Sequence, residues 1–310
     1  MNILVIGSGM MGRALAYDLA HSPNVKSVTL ADIDFERAKS AAAMSDKIRA
    51  LQLDSRKFDD VVNAMKGMNA AVGATSYSQN LLITKAAIKA KINYCDLGGN
   101  MDVVDSQIAL DAEAKAAGVS ILPNCGLAPG MACVIAAGGA KKFDSVDELH
   151  IRVGGLPQHP QPPLNYQLVF SAEGLINEYI EPAEVIRNGK LAKVESMTEI
   201  ESLRFDPPFS DLEAFNTSGG ISTLTRMYLG KVKTLDYKTI RYKGHCEKFK
   251  LLLDLGFAGS EPVTLGSSLL TTREFFEELL RKKLPSNQPD VVLTRVEISG
   301  ILQGKKSSLA

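Results

Sequence analysis

The hexapeptide GSGMMG, Gly7 to Gly12, lies between the apolar run NILVIG and the helical pattern MMGRALAYDLAHS. Its three glycines constrain the chain more than any other feature. Gly7 permits a tight turn, Gly9 lets a phosphate approach the backbone, and Gly12 lets helix pack on strand, with phosphates held at the helix N-terminus. The motif carries that meaning only at a strand-to-helix junction, which is where it falls. The same alternation continues through SVTLAD, FERAKSAAAMSDKIRAL, RALQLD, FDDVVNAMKG, NAAVGAT, SQNLLITKAAIKAK, NYCDLGG, DSQIALDAEAKAAG and VSILPN. Apolar strands separated by helical periodicity predict βαβ units and a parallel sheet. Six such strands, ending near Asn124, complete a doubly wound α/β domain over residues 1–124.

A dinucleotide fits this arrangement, with pyrophosphate at Gly7, Gly9, Met10, Met11 and Gly12. Asp32 closes the second strand, twenty residues after Gly12, where a carboxylate accepts the adenosine ribose hydroxyls and repels a 2′-phosphate, so NAD is expected over NADP. The alternative is that Asp32 caps a helix beginning near Phe35, a role better suited to Asp34. Ligands in such sheets lie across the carboxyl ends of the strands. Asp54, Ala74, Thr75 and Gly98 fall at those ends and are further candidate cofactor contacts, though Asp54 reads equally well as a surface cap.

After GLAPGMACVIAAGGAKKF the pattern changes. ELHIRVGG, YQLVFS, LAKVESM and KTIRYKG follow one another as strands without crossover helices, before two helices, HCEKFKLLLDLG and TTREFFEELLRKKL, and a last strand, DVVLTRVEISG. Residues 125–310 are thus expected to form an α+β substrate-binding and dimerisation domain on an open mixed sheet. Pro157, Pro160, Pro162 and Pro163 stiffen the loop after its first strand, making it either a binding wall or a rigid surface excursion.

Thirty-five basic residues balance thirty-five acidic ones, which argues against nucleic acid or an anionic membrane surface and favours a small neutral or zwitterionic partner. The start MNILVIG lacks a signal-peptide pattern, and no apolar run is long enough to span a bilayer. Cys95, Cys125, Cys133 and Cys246 are scattered without zinc-like spacing, as expected of reduced thiols in a cytoplasmic protein with no structural metal.

The ordered segments YCDLGGN, PNCGLAPGMA, GGLPQHPQPPLNYQLVFSAEGLINEY, LEAFNTSGG, TIRYKGH and DVVLTRVEISG resemble the saccharopine dehydrogenase family over nearly the whole chain. Within it the GGLPQ segment is most similar to the lysine 6-dehydrogenases. The resemblance implies a Rossmann domain into which a substrate domain is inserted, NAD as cofactor, and oxidative deamination of the lysine side-chain amine. The product would be 2-aminoadipate 6-semialdehyde, which cyclises to a piperideine carboxylate. Members similar to this chain continue past VEISG with another strand and a helix, so a shortened C-terminus at LQGKKSSLA is expected.

Hydride transfer from an amine requires its neutral form, scarce at neutral pH for a group with a pKa of about 10.4. A base must help water attack the imine, and the distal α-carboxylate and α-ammonium must be held. Asp96, at the end of the fifth strand, is a candidate contact to the substrate amine; it also reads as a turn cap before Gly98. Arg241 is a candidate for the α-carboxylate, against a solvated strand arginine. His245 is either an acid, base or carboxylate donor, or a satisfied cap at a strand-to-helix junction. Glu173 could hold the α-ammonium or activate water, or simply cap its helix. Thr217 and Ser218 could donate to the carboxylate or stabilise a turn. Gly155 and Tyr166 belong to the candidate wall. Cys125 is read as a small buried thiol with no covalent role. Other readings are a saccharopine or carboxynorspermidine dehydrogenase or reductase, and an NAD-binding protein without catalysis. A homodimer is expected.

Overall fold

The computed structural model describes residues 1–266, 268–286 and 288–310, and its contacts divide the chain into two compact units, Met1–Gly130 and Met131–Ala310. Each unit is a single contiguous stretch of the chain.

In the first unit, strands and helices alternate as β1 (Asn2–Ile6), α1 (Met10–His21), β2 (Ser27–Asp32), α2 (Phe35–Ala42), β3 (Ile48–Gln52), α3 (Phe58–Met65), β4 (Ala70–Gly73), α4 (Asn80–Ala90) and β5 (Asn93–Asp96). They are followed by α5 (Met101–Ile108), α6 (Asp111–Ala117) and the short β6 (Ile121–Leu122). All strand pairs are parallel and the order is β3-β2-β1-β4-β5-β6, the doubly wound arrangement. Strand β1 shows why: Ile3 and Val5 enter one apolar cluster while Leu4 and Ile6 enter the other, so both faces of the sheet are buried. The segment DSQIALDAEAKAAG, expected as one helix, is two, because the chain turns after Ile108 and restarts at Asp111.

The second unit opens with α7 (Met131–Ala140) and the long strand β7 (Ser145–Pro157). There follow α8 (Ala172–Ile180), β8 (Ala183–Arg187), β9 (Lys190–Val194), β10 (Glu201–Leu203), β11 (Leu212–Asn216), α9 (Leu224–Tyr228), β12 (Thr234–Tyr242) and α10 (His245–Asp254). The small hairpin β13 (Pro262–Leu265) and β14 (Ser268–Thr271), then α11 (Thr272–Lys283), β15 (Asp290–Leu302) and β16 (Lys305–Leu309) complete it. The main sheet has the order β10-β11-β12-β7-β15-β16, with β8 paired to β12 and β9 to β8. It is mixed, since β12 runs parallel to β7 and antiparallel to β11.

Two local expectations are corrected. YQLVFS is not a strand: Leu164, Tyr166 and Leu168 turn into the core cluster beneath α8, α10 and α11, and burial of these side chains decides the backbone path. Gly154 to Pro157 belong to β7 and not to the loop, because β15 pairs with them as far as Asp290↔Pro157. Within LQGKKSSLA, Lys305–Leu309 forms a hairpin with the end of β15. No helix among the described residues is long and apolar enough to cross a membrane.

Strand β12 separates two buried polar sets by simple alternation. On one face, Asp236 accepts from Arg152 Nη1 at 2.7 Å and Arg187 Nη1 at 2.8 Å and meets His150 Nδ1 at 2.8 Å, while Lys238 reaches Glu201 at 2.9 Å. Burial alone would raise the Asp236 pKa, but His150 and Arg152 hold it well below the usual carboxylate range. A carboxyl depressed in the folded state lends stability above its unfolded pKa, near 3.9, that is lost as pH falls. Asp236→Ala is expected to cost about 3–5 kcal/mol in urea unfolding at neutral pH, because Arg152 stays buried without its partner. The variant should also lose less stability than the parent between roughly pH 5 and pH 3.

Candidate functional site

The turn from β1 into α1 leaves no room for side chains. A Cβ on Gly12 would lie 1.8 Å from the Gly7 carbonyl oxygen, and one on Gly7, whose φ is +104°, would lie 2.5 Å from the Ala74 carbonyl oxygen. On Gly9 it would meet nothing within 4 Å, so the middle glycine keeps the approach to the backbone open. Gly9 caps α1 without a side chain, and the first ladder bond is Arg13 N–H to Gly9 at 3.0 Å. The N–H groups of Met10, Met11 and Gly12 therefore precede the ladder at the positive end of the helix, as a diphosphate requires. Ala74 continues β4, its N–H on the Ile6 carbonyl at 2.7 Å, with Thr75 beside Gly7.

Asp32 ends β2 and is buried. It accepts from Ser8 N–H at 2.6 Å, Ser8 Oγ at 2.8 Å, Asp34 N–H at 2.9 Å and Arg37 Nη2 at 2.7 Å. Burial pushes its pKa up, but the Ser8 and Asp34 N–H groups, Arg37 and the Ser8 hydroxyl outweigh it and keep the carboxylate ionised. The capping of α2 falls to Asp34, which accepts from Arg37 N–H at 3.1 Å. Asp54 is paired with Arg56 at 2.8 and 2.9 Å, holding its pKa down at about 2. It also lines a hollow of about 590 Å³ with Ile33, Leu53 and Asn63 beyond the ends of β2 and β3, the adenosine side of a doubly wound sheet. The glycine cradle, the free first-turn N–H groups and the Asp32 carboxylate together fit a dinucleotide.

Asp96 departs from its expected role. It is fully buried, and its oxygens take Gly98 N–H at 2.8 Å, Asn124 N–H at 3.4 Å and Gln107 Nε2 at 2.6 Å. Desolvation raises its pKa against those bonds. With no exposed oxygen it acts as the cap of the β5 turn, and Gly98, at φ +78°, is held with no room for a Cβ against Asn124.

In the second unit, Arg241, His245 and Tyr166 come together in the cluster beneath α8 and α10. Arg241 Nε donates to the Tyr179 hydroxyl at 2.8 Å and Nη1 to the Ile240 carbonyl at 2.9 Å, and its guanidinium lies 4.8 Å from the Tyr166 ring centre. Among the described residues Nη2 has only Glu178, at 4.0 Å. Burial disfavours the charge, but Tyr179, Tyr166 and Glu178 raise the pKa and keep Arg241 protonated. Tyr166 is buried, its pKa pushed up to about 12, chiefly by that burial. The Val169 N–H approaches its hydroxyl oxygen, and no acceptor among the described residues meets its proton. Thr217 bonds Thr239 at 2.7 Å and Glu178 at 3.1 Å.

His245, expected as an acid, base or carboxylate donor or as a satisfied cap, has both ring nitrogens engaged. Only 1% exposed, it uses Nδ1 on the Leu164 carbonyl at 2.9 Å and Nε2 on the Tyr179 hydroxyl at 3.1 Å. Burial first, then Arg241, lowers its pKa to about 3. The Pro-rich loop thus serves the structure, bringing the Leu164 carbonyl and the Tyr166 ring against this cluster. Gly155 lies within β7 facing the Val169 side chain. Glu173, in the first turn of α8, stands apart from the cluster, and its carbonyl receives Arg273 at 3.4 Å. Glu178 and Tyr179, on the last turns of the same helix, were missed; both belong to the NEY end of a segment already singled out, and helical spacing alone does not say which glutamate turns inward. Cys125 is exposed, not buried as expected. No group of three or more potential metal ligands occurs among the described residues.

Gly12→Ala is expected to weaken dinucleotide binding about tenfold or more, since overpacking of about 1–3 kcal/mol falls on the turn that holds the phosphates; calorimetric titration reads it. A second expectation concerns His245. Its folded pKa lies below the unfolded value of about 6.5, so its contribution is complete above that pH and is lost as pH falls towards about 3. Denaturant midpoints should drop below roughly pH 6.5, and His245→Gln should flatten that limb.

Residues 126–309 match the family described as saccharopine dehydrogenase C-terminal domain, and residues 3–122 the saccharopine dehydrogenase NADP binding domain. The L-glutamate-forming, NADP(+) saccharopine dehydrogenase of Pyricularia oryzae is 23% identical over 310 residues, covering 95% of this chain and 66% of the relative. The mitochondrial alpha-aminoadipic semialdehyde synthase of Mus musculus is 22% identical over 270 residues, covering 84% of the chain and 28% of the relative. The carboxynorspermidine synthase of Vibrio cholerae is 26% identical over 181 residues, 50% of the chain and 44% of the relative. The chain therefore spans two thirds or less of these relatives. The structure of apo saccharopine dehydrogenase (L-Glu forming) from Saccharomyces cerevisiae shares the fold, with a TM-score of 0.79 at 18% identity over 99% of this chain and 83% of that one. Two family domains that together run from residue 3 to residue 309 make the chain a member of the saccharopine dehydrogenase family.

Proposed function

We propose that this protein is an NAD-dependent dehydrogenase that deaminates the side-chain amine of L-lysine to 2-aminoadipate 6-semialdehyde. The nicotinamide cofactor, when bound, accepts the hydride. Gly7, Gly9 and the first-turn N–H groups of α1 hold its diphosphate, and Asp32 takes the ribose hydroxyls, its negative charge disfavouring a 2′-phosphate.

The observation that carries the substrate reading is a pair of donors with no acceptor in hydrogen-bond distance among the described residues: Arg241 Nη2, beyond that distance from Glu178, and the buried Tyr166 hydroxyl. An α-carboxylate supplies what both lack. Glu178, already beside Arg241, takes the ammonium role first expected of Glu173. His245 holds Tyr179, and so Arg241, in place while staying neutral. The relatives' names favour a second reading in which the amine carries a glutamate-like or carboxyalkyl adduct, as in saccharopine.

The test follows reduced cofactor formed from NAD and from NADP with L-lysine, saccharopine and 1,5-diaminopentane, from neutral pH to about pH 10. L-lysine with NAD should be the productive pair, with a rate rising about tenfold per pH unit below the amine pKa. Tyr166→Phe, which keeps the ring, should lower kcat/KM for lysine about tenfold, the scale of one hydrogen bond to a charged group. It should leave the diamine, which has no α-carboxylate, unchanged. Turnover of saccharopine alone would move the assignment to the second reading.

A further inference from the structure

Cys95 and Cys125 lie side by side at the carboxyl end of the parallel sheet. Cys95, in β5, pairs with Leu122 of β6. The chain then runs three residues to Cys125, whose N–H donates to the Asp96 carbonyl at 2.7 Å. That bond continues the β5–β6 ladder past its last paired residues and sets Cys125 beside Cys95 across it. Cys125 is exposed and Cys95 half-buried behind it. The other cysteines are placed differently: the Cys133 thiol lies 3.5 Å from the Gly220 carbonyl, and Cys246 is buried with its thiol 3.7 Å from the Met197 carbonyl.

We propose that Cys95 and Cys125 form a reversible dithiol–disulfide site, with Cys125 as the attacking thiol and Cys95 as the resolving one. Exposure assigns the first role to Cys125, because an incoming disulfide reaches it first. Contact assigns the second to Cys95. The neighbouring Cys95 thiol also lowers the Cys125 pKa, to about 7, against burial and the Asp96 charge, while the pKa of Cys95 is raised. A thiol with a pKa near the ambient pH combines a large thiolate fraction with good nucleophilicity. The Leu122 carbonyl, 3.3 Å from Cys125 Sγ, accepts its proton when the thiol is neutral.

The oxidant is a low-molecular-weight disulfide. The Cys125 thiolate attacks one of its sulfurs, the S–S bond breaks, and one small thiolate leaves, giving a mixed disulfide. Cys95 gives its proton to that leaving thiolate or to water and attacks the Cys125 sulfur, the mixed disulfide breaks, and the second small thiolate leaves and is protonated. The two cysteines lose two electrons and the small disulfide becomes two thiols. The new bond would tie the residue before Asp96 to the residue after Asn124, reinforcing a closure that Asp96 already makes through Gly98 and Asn124.

The test uses the full chain, fully reduced, then exposed to oxidised glutathione near neutral pH, alkylated and digested without reductant. A Cys95–Cys125 linked peptide is expected, with both thiols lost together and restored by dithiothreitol, while Cys133 and Cys246 remain alkylated. Cys95→Ala should arrest at the glutathione adduct on Cys125 and move the pH midpoint of Cys125 alkylation upward towards about 8.5. A stable adduct on Cys125 of the parent protein with Cys95 still open to alkylation overturns the proposal. So does the absence of any reaction at Cys125. The parent peptide map decides without the variant, and the result is independent of which amine the proposed reaction oxidises.

Discussion

The contact between residues 7 and 12 governs the first unit. With the Gly7 carbonyl where a side chain of residue 12 would begin, α1 packs against β1 at a distance that only two glycines allow. That approach leaves the free N–H groups of α1 at the carboxyl end of β1 and brings Ser8 to Asp32. The carboxylate at the end of β2 is therefore fixed by the turn at the end of β1. Arg37 then closes on both, reaching Asp32 and the Ser8 hydroxyl. A phosphate cradle and a ribose acceptor arise from one steric fact.

The second unit solves a different problem on a single strand. In β12, TLDYKTIRY, alternation sends Asp236 and Lys238 to one face and Tyr237, Thr239 and Arg241 to the other, and nearly all are buried. Charges removed from water on both sides of a strand must be matched by partners in fixed places. On the first face carboxylates and cations satisfy one another. The second is incomplete, since Arg241 keeps a free edge and Tyr166 a free proton among the described residues. Buried polar groups left unpaired cost stability, so the two faces of the same strand differ: one set is closed, and the other is the face the proposed substrate would complete.

Much of this was legible in the sequence and some was not, for reasons that differ by residue. Gly7 and Gly12 could be read because they act through the backbone at fixed spacing, and Asp32 because its place at the end of β2 is decided within the same βαβ unit. Arg241, His245 and Tyr166 could be singled out as a group, but not their chemistry, because that depends on Tyr179 and Leu164, which sit far away in the chain. Asp96 and Gln107 meet only through folding, so nothing local distinguishes an enclosed cap from an exposed carboxylate. YQLVFS alternates like a strand, yet the pull of Tyr166 and Leu168 into the core overrides local propensity.

The silence of His245 and Asp96 bears on how such an enzyme can work. A histidine whose two nitrogens are both engaged, and whose pKa is lowered to about 3, exchanges no proton near neutrality. A carboxyl with no exposed oxygen exchanges none with a substrate. Arg241 stays protonated throughout the accessible range. The groups first sought as acid and base are thus fixed charges or fixed dipoles, suited to holding a substrate and not to titrating with it. In the proposed amine oxidation, the proton that must leave before hydride transfer is then the substrate's own, and what these groups would contribute to that step is position. An apolar surrounding with a cation in it, which keeps His245 neutral, acts in the same sense on an ammonium brought nearby, lowering its pKa towards the neutral amine.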